Sequence, residues 1–247
     1  MGHSVNEKIY FNNGDIVLLK ADGIYFQPPG SSTSIVWDPD TIFNAYGNIM
    51  SLCYGDNFIN QTVIPEGNTF GGLFNSSGII SAENLILPAL EFNPNPYQIS
   101  SGVYASMFDG CELLTSVPAL PATALAEYCY SYMFNGCTSL TTAPVLPVTT
   151  LAEGCYYEMF RGCTSLTTAP ELPATTLATQ CYNGMFQGCT SLNYIKCLAT
   201  DISADDCTNE WVYGVASTGT FVKDASMSDW KTGINGIPTN WTVQDAS

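Results

Sequence analysis

Four blocks beginning at Met107, Met133, Met159 and Met185 open with Met-Phe-x-Gly-Cys, each displaced from the last by 26 residues. The second block, Met133-Phe134-x-Gly136-Cys137-Thr138-Ser139-Leu140-Thr141-Thr142-Ala143-Pro144-x-Leu146-Pro147, returns as Met159-Phe160-x-Gly162-Cys163-Thr164-Ser165-Leu166-Thr167-Thr168-Ala169-Pro170-x-Leu172-Pro173. A fixed period of roughly 20 to 50 residues marks stacked supersecondary units, each completing its core only against its neighbours. The repeat therefore predicts a solenoid.

Within one unit, Leu151, Cys155 and Met159 are spaced four apart, which predicts a short helical turn with that face inward. The Thr-rich segment from Thr164 to Leu172, interrupted by Pro170, predicts one short strand per coil followed by a corner. Parallel strands then stack coil on coil. At about 4.8 Å per strand, four clear coils and one degenerate coil rise about 24 Å. The degenerate coil is Phe70-Gly71-Gly72-Leu73-Phe74 followed by Asn84-Leu85-Ile86-Leu87-Pro88-Ala89-Leu90.

The flanks have another texture. Strands are expected at Lys8 to Phe11, Ile16 to Lys20 and Ser34 to Trp37, and, after the repeat is lost past Leu198, at Thr218 to Val222 and Trp241 to Val243. The expected fold is a β-rich, leucine-rich-repeat-like solenoid with short strands and short helical turns. Its parts are a β-rich N-terminal cap or attachment region over 1–69, the solenoid over 70–210 and a C-terminal cap over 211–247. Caps are needed because an open terminal coil exposes core and unpaired strand edge.

Charge narrows the partners. Although only 11% of residues are charged, 22 acidic residues face six basic ones, giving a net charge of -16 with Arg161 as the sole arginine. Nucleic acid and anionic membrane surfaces both select clustered Lys or Arg, so neither is an expected partner. No apolar run reaches the roughly 18 residues of a membrane span, and the start lacks the basic and apolar regions of a secretory leader. Membrane insertion is not expected.

Of ten cysteines, eight fall in two ladders with the 26-residue period: Cys111, Cys137, Cys163, Cys189, and Cys129, Cys155, Cys181, Cys207. Buried free thiols stacked as small hydrophobes are the simpler reading. Equivalent residues about 4.8 Å apart also lie within disulfide reach, so spacing alone leaves both states open. No Cys-x-x-Cys pair exists, and the single histidine, His3, lies outside the repeats. No zinc centre, His-dependent catalytic triad or cofactor is therefore expected. Asp205–Asp206, Asp38 with Asp40, and Glu153 with Glu158 are the conceivable acid and base pairs of a glycan-cleaving enzyme, but none has a distinctive context. The expected function is non-enzymatic. Asp201, Asp205 and Asp206 cluster in one turn and are the only candidate ligands for a cation.

Constant positions build each coil, so variable ones are expected to face out. Asp109, Asn135, Arg161 and Gln187 form one such register, and Ala119, Val145, Glu171 and Cys197 another. Tyr130, Tyr156 and Tyr182 recur in register, joined by Tyr128, Tyr132 and Tyr157; either they form a tyrosine-rich recognition flank, or they are partly buried with hydroxyls at the rim. The ligand-binding candidates are Tyr130, Tyr156, Tyr182, Tyr132, Tyr157, Asn135, Arg161, Gln187 and Glu171.

The Phe-x-Gly-Cys-Thr-Ser-Leu core followed by a Pro-containing strand resembles the BspA-type leucine-rich repeats of gut Bacteroidetes surface proteins. Gly47-Asn48-Ile49-Met50-Ser51-Leu52, the run from Phe186 through Asp201, and the ending from Gly219 through Val243 resemble leucine-rich-repeat, tail-associated proteins of gut Bacteroides phages and prophages. This resemblance covers roughly residues 47 to 247. It implies an extracellular, virion-associated or bacterial-surface setting and a binding role, without catalytic residues. A host-surface-binding tail component recognising a cell-surface glycan or protein is the expected function, with the N-terminal region attaching it to a virion or surface assembly. The alternatives are a BspA-like bacterial adhesin and a structural virion subunit with no ligand of its own.

Overall fold

The structure, a computed structural model, describes residues 37, 40–54, 57, 59, 69–88, 102–228 and 230–246. The strands expected at Lys8 to Phe11, Ile16 to Lys20 and Ser34 to Trp37 lie outside them, except for Trp37. Among the described residues the elements are few and short: β1 (Ile42–Asn48), α1 (Ser51–Tyr54), β2 (Gly78–Ile86), β3 (Tyr194–Cys197), β4 (Thr220–Lys223) and β5 (Thr242–Asp245). β1 pairs in parallel with β2, and β3, β4 and β5 form a second parallel sheet in that order.

Most of the backbone between the sheets is organised by a different pattern. Across 128–137 the even-numbered N–H groups donate to the next unit, as Tyr130 N to Cys155 O at 3.0 Å and Phe134 N to Met159 O at 2.9 Å. The odd-numbered ones donate three residues back, as Met133 N to Tyr130 O at 3.3 Å. The same alternation runs through 154–163 and 180–189. Each N–H and each carbonyl in the segment thus has a backbone partner, which a buried backbone demands. The result is a wall of consecutive tight turns, joined unit to unit like a parallel sheet.

The expected helix at Leu151 to Phe160 is corrected by this pattern. Every fourth residue of the wall has positive φ: Tyr128 (53°), Tyr132 (56°) and Gly136 (70°) in one unit, Gly154 (55°), Glu158 (48°) and Gly162 (72°) in the next. A left-handed residue at each fourth position stops a helix from propagating while preserving the four-residue spacing of Leu151, Cys155 and Met159. The last position of each trio is glycine in every unit from Gly110 to Gly214, where φ is about 70° and a residue without a Cβ carries no penalty.

Opposite the turns, the segment Thr164 to Leu172 contributes only isolated bridges, Thr168 to Tyr194 and Leu172 to Cys197. Proline explains this. Pro170 and Pro173 lack the N–H that a ladder needs, whereas their counterparts one unit on are Lys196 and Ala199, and there β3 forms.

The core between the two sides is built from ladders of identical residues. Tyr104, Tyr130, Tyr156 and Tyr182 stack with centroids 5.7, 6.0 and 6.1 Å apart, and Phe74, Phe108, Phe134, Phe160 and Phe186 form a second column at 5.4 to 5.9 Å. Both columns reach Trp211, which stacks on Trp230 at 5.6 Å. All ten cysteines are buried and free. Each thiol of one ladder donates to the phenylalanine carbonyl of the preceding unit: Cys137 Sγ to Phe108 O at 3.2 Å, Cys163 Sγ to Phe134 O at 3.1 Å, Cys189 Sγ to Phe160 O at 2.9 Å.

The turn wall continues to Gly214, beyond Leu198 where the sequence repeat fades, since Phe186 N still bonds Trp211 O and Gly188 N bonds Tyr213 O. Its two ends are closed by opposite chemistry. At one, the Trp37 indole N–H donates to Leu73 O at 2.6 Å. At the other, Asn235 Oδ1 accepts Glu210 N–H at 2.7 Å and Ile234 O accepts Val212 N–H at 3.3 Å, replacing the carbonyls that a further unit would bring.

Candidate functional site

Along the turn wall, residues alternate as inward pairs and outward pairs. The inward registers are nearly constant: Cys129, Cys155, Cys181; Tyr130, Tyr156, Tyr182; Met133, Met159, Met185; Phe134, Phe160, Phe186. The registers between them differ from unit to unit. Ser131, Tyr157 and Asn183 share one, Tyr132, Glu158 and Gly184 another, and Asn135, Arg161 and Gln187 a third. Ser131, Glu158 and Asn183 are covered by their neighbours, so the surface that tells one unit from the next is made by Tyr132, Tyr157, Asn135, Arg161 and Gln187.

Its centre is a group of tyrosines and carboxylates. Tyr132 and Tyr157 have ring centroids 5.3 Å apart, and Tyr128 lies 6.4 Å from Tyr157. The Tyr128 hydroxyl lies 3.1 Å from Glu153 Oε1 and 2.8 Å from Gln180 Oε1, two acceptors for its one proton. Arg161 Nη1 pairs with Glu158 Oε2 at 2.6 Å. Glycines make the room. The Tyr128 ring covers Gly154, and Glu158 Cγ would stand 2.7 Å from a Cβ on Gly184. Partial burial, aided by Glu158, raises the Tyr132 and Tyr157 pKa values, so both phenols stay protonated donors.

Other expected residues fall in several places. Tyr130, Tyr156 and Tyr182 are 1 to 2% exposed. Their place in a recognition flank is corrected: they are rungs of the core column, and their recurrence reflects stacking. Asn135 donates to Asp109 Oδ1 at 2.7 Å, and Gln187 donates to Glu210 Oε2 at 2.8 Å, so this register is laced to neighbouring units while remaining at the surface. Glu171 lies off the turn wall, paired with Lys196 at 2.9 Å. Cys197, expected outside with Glu171, is buried, because at that unit the segment becomes the regular strand β3 and alternates inward. Gln180 escaped the sequence reading; the signal was its place two units after Tyr128, with only Gly154 between.

Of the carboxylates named for other chemistry, Asp38 lies outside the described residues. Asp201 Oδ1 accepts the Ser203 N–H at 3.0 Å and the Ser203 hydroxyl at 2.7 Å, which holds its pKa below the usual range. Among the described residues no group of three His, Cys, Asp or Glu is placed to hold a metal ion, so Asp201, Asp205 and Asp206 do not converge. Desolvation pushes the thiols up, Cys111 to about 11 and Cys129, Cys181, Cys189 and Cys197 to about 12. Such thiols are inert as nucleophiles.

Two shallow hollows, about 400 and about 270 Å³, lie at the C-terminal end, bordered by Gly233 and Ile234 and separate from the tyrosines. The tyrosine group is a surface, suited to a macromolecular face more than to an enclosed small molecule. No family model, no curated protein and no solved structure matches this chain.

Proposed function

We propose that the chain is a leucine-rich-repeat-like solenoid and serves as a non-enzymatic recognition module outside the cell, as a host-surface-binding component of a gut bacteriophage or prophage tail. The observation that carries the reading is the split within the repeats: inward registers keep one residue type, while the outward registers of the turn wall vary and hold Tyr132, Tyr157, Arg161, Asn135 and Gln187. Repeat scaffolds present binding surfaces in this way. Tyrosines with few rotatable bonds, flanked by amides and charges, suit recognition of a protein or glycan face.

The test is binding of the labelled chain to intact cells of a panel of gut Bacteroidetes strains and to their isolated capsular polysaccharides. Saturable binding to particular strains, lost on Tyr132→Ala/Tyr157→Ala, is the expected result. Absence of binding to every strain and polysaccharide overturns the reading in favour of a structural subunit.

A further inference from the structure

The outer turn wall already holds one cation in a defined setting. Arg161 sits on the Glu158 carboxylate at 2.6 Å, and the rings of Tyr132 and Tyr157 adjoin the pair. One register earlier, the same ingredients recur without a cation. Tyr128 stands beside Tyr157, with exposed Glu153 on the next unit and exposed Glu127 next to it in sequence. The Tyr128 hydroxyl has one proton and two acceptors, Glu153 Oε1 and Gln180 Oε1. No ion pair joins Glu127 or Glu153 to a described lysine or arginine; Arg161, Lys196 and Lys223 are paired with Glu158, Glu171 and Asp245.

We propose that Tyr128, Glu127 and Glu153 form a seat for a cationic side chain, arginine or lysine, presented by a protein on the recognised surface. A ring face offers a cation the attraction of its quadrupole, and the two carboxylates supply countercharge. Charge complementarity selects this occupant. With a net charge of -16 the chain repels acidic polysaccharides and attracts a basic face from a distance. Gly154 is part of the seat, since its missing Cβ lets the Tyr128 ring lie across the next unit. This inference rests on the recognition reading for its biological partner, while the seat itself is testable alone.

The experiment titrates a fluorescent oligo-arginine peptide with the full chain at low salt, alongside the cell-binding assay. It compares the wild type with Glu127→Gln/Glu153→Gln and with a control pair of equal charge change, Glu83→Gln/Glu112→Gln. The seat predicts that Kd rises about tenfold in the first pair and less than about twofold in the control, with a shallower salt dependence in the first. Near-UV circular dichroism confirms that both pairs keep the stacked core. Equal weakening in both pairs overturns the proposal, because the peptide then senses only overall acidity. It is also overturned if neutral oligosaccharides bind the wild type and Glu127→Gln/Glu153→Gln equally but not Tyr128→Ala. A wild type that binds cells but no arginine peptide removes the seat and leaves the recognition reading. Seat-dependent peptide binding without binding to any cell does the reverse.

Discussion

The phenol ring of Tyr128 occupies the space that a Cβ on Gly154 of the next unit would need, and its hydroxyl reaches Gln180 of the unit after that at 2.8 Å. One side chain therefore spans three units. Gly154→Ala is expected to lower stability by about 2 kcal/mol, about half from a non-glycine residue at φ 55° and the rest from displacing the ring. In a Tyr128→Ala background only the backbone part should remain. Urea unfolding of the two single variants and the double variant checks this, and additive effects would exclude the contact as a source of energy.

The core tyrosines differ in one atom's surroundings. Tyr104 OH donates to Pro88 O at 3.4 Å, while Tyr130 OH is buried with no protein partner. Removing an unpaired buried hydroxyl recovers its desolvation cost, so Tyr130→Phe should leave stability unchanged or raise it by up to about 1 kcal/mol. Tyr130→Ala should cost about 3 to 5 kcal/mol, because it opens a hole in the column. Thermal unfolding of the three proteins separates these outcomes.

Alkali should destabilise the chain from about pH 9 upward. The folded thiol pKa values of Cys111, Cys129, Cys181, Cys189 and Cys197 are about 11 to 12 against 9.0 for a free thiol. Because the folded values are raised, the unfolded chain loses these protons first. The contribution of each thiol is intact below pH 9 and falls as pH rises between its unfolded and folded values. Each removes about 1.4 kcal/mol per pH unit in that window. The urea midpoint should fall steeply between about pH 9 and 11, and Cys129→Ala/Cys181→Ala should flatten that fall. A midpoint flat through this window would contradict the burial of the ladders.

At the C-terminal end, Trp211 stacks on Trp230 with planes 10° apart, and its indole N–H donates to Gly236 O at 2.9 Å. Two indoles so close couple their transitions. A bisignate tryptophan band is expected in circular dichroism, and Trp230→Phe should abolish it while leaving the unit-to-unit ladders folded. Asn235→Ala should cost about 1 kcal/mol by stranding the Glu210 N–H.

The repeat and the burial of its cysteine ladders were legible in the sequence, because a small apolar side chain recurring at one register packs on its own copies. The helix at Leu151 to Phe160 was misread for a physical reason. A row of turns with every fourth residue left-handed has the same four-residue spacing as a helix face. Gly154 and Gly162, eight apart in one unit, and Gly184 and Gly188, four apart in the next, were the clue to the difference. For Tyr130, Tyr156 and Tyr182 the sequence left a recognition flank and partial burial at the rim both open; they are buried throughout, as suits a residue unvarying across units. Gln180 was missed although it shares the register of Tyr128, since their meeting crosses two units and depends on a glycine between them.

On the turn wall every bond between units points its N–H toward the C-terminal end. Peptide dipoles of about 3.5 D therefore add along the stack, whereas in an ordinary sheet they largely cancel. The wall behaves as a bar with a positive pole at its last unit, where Asp205, Asp206 and Glu210 supply negative charge, and a negative pole where the Trp37 indole meets Leu73. Its ends are electrically unlike. Duplicating a unit lengthens the bar without reversing its poles.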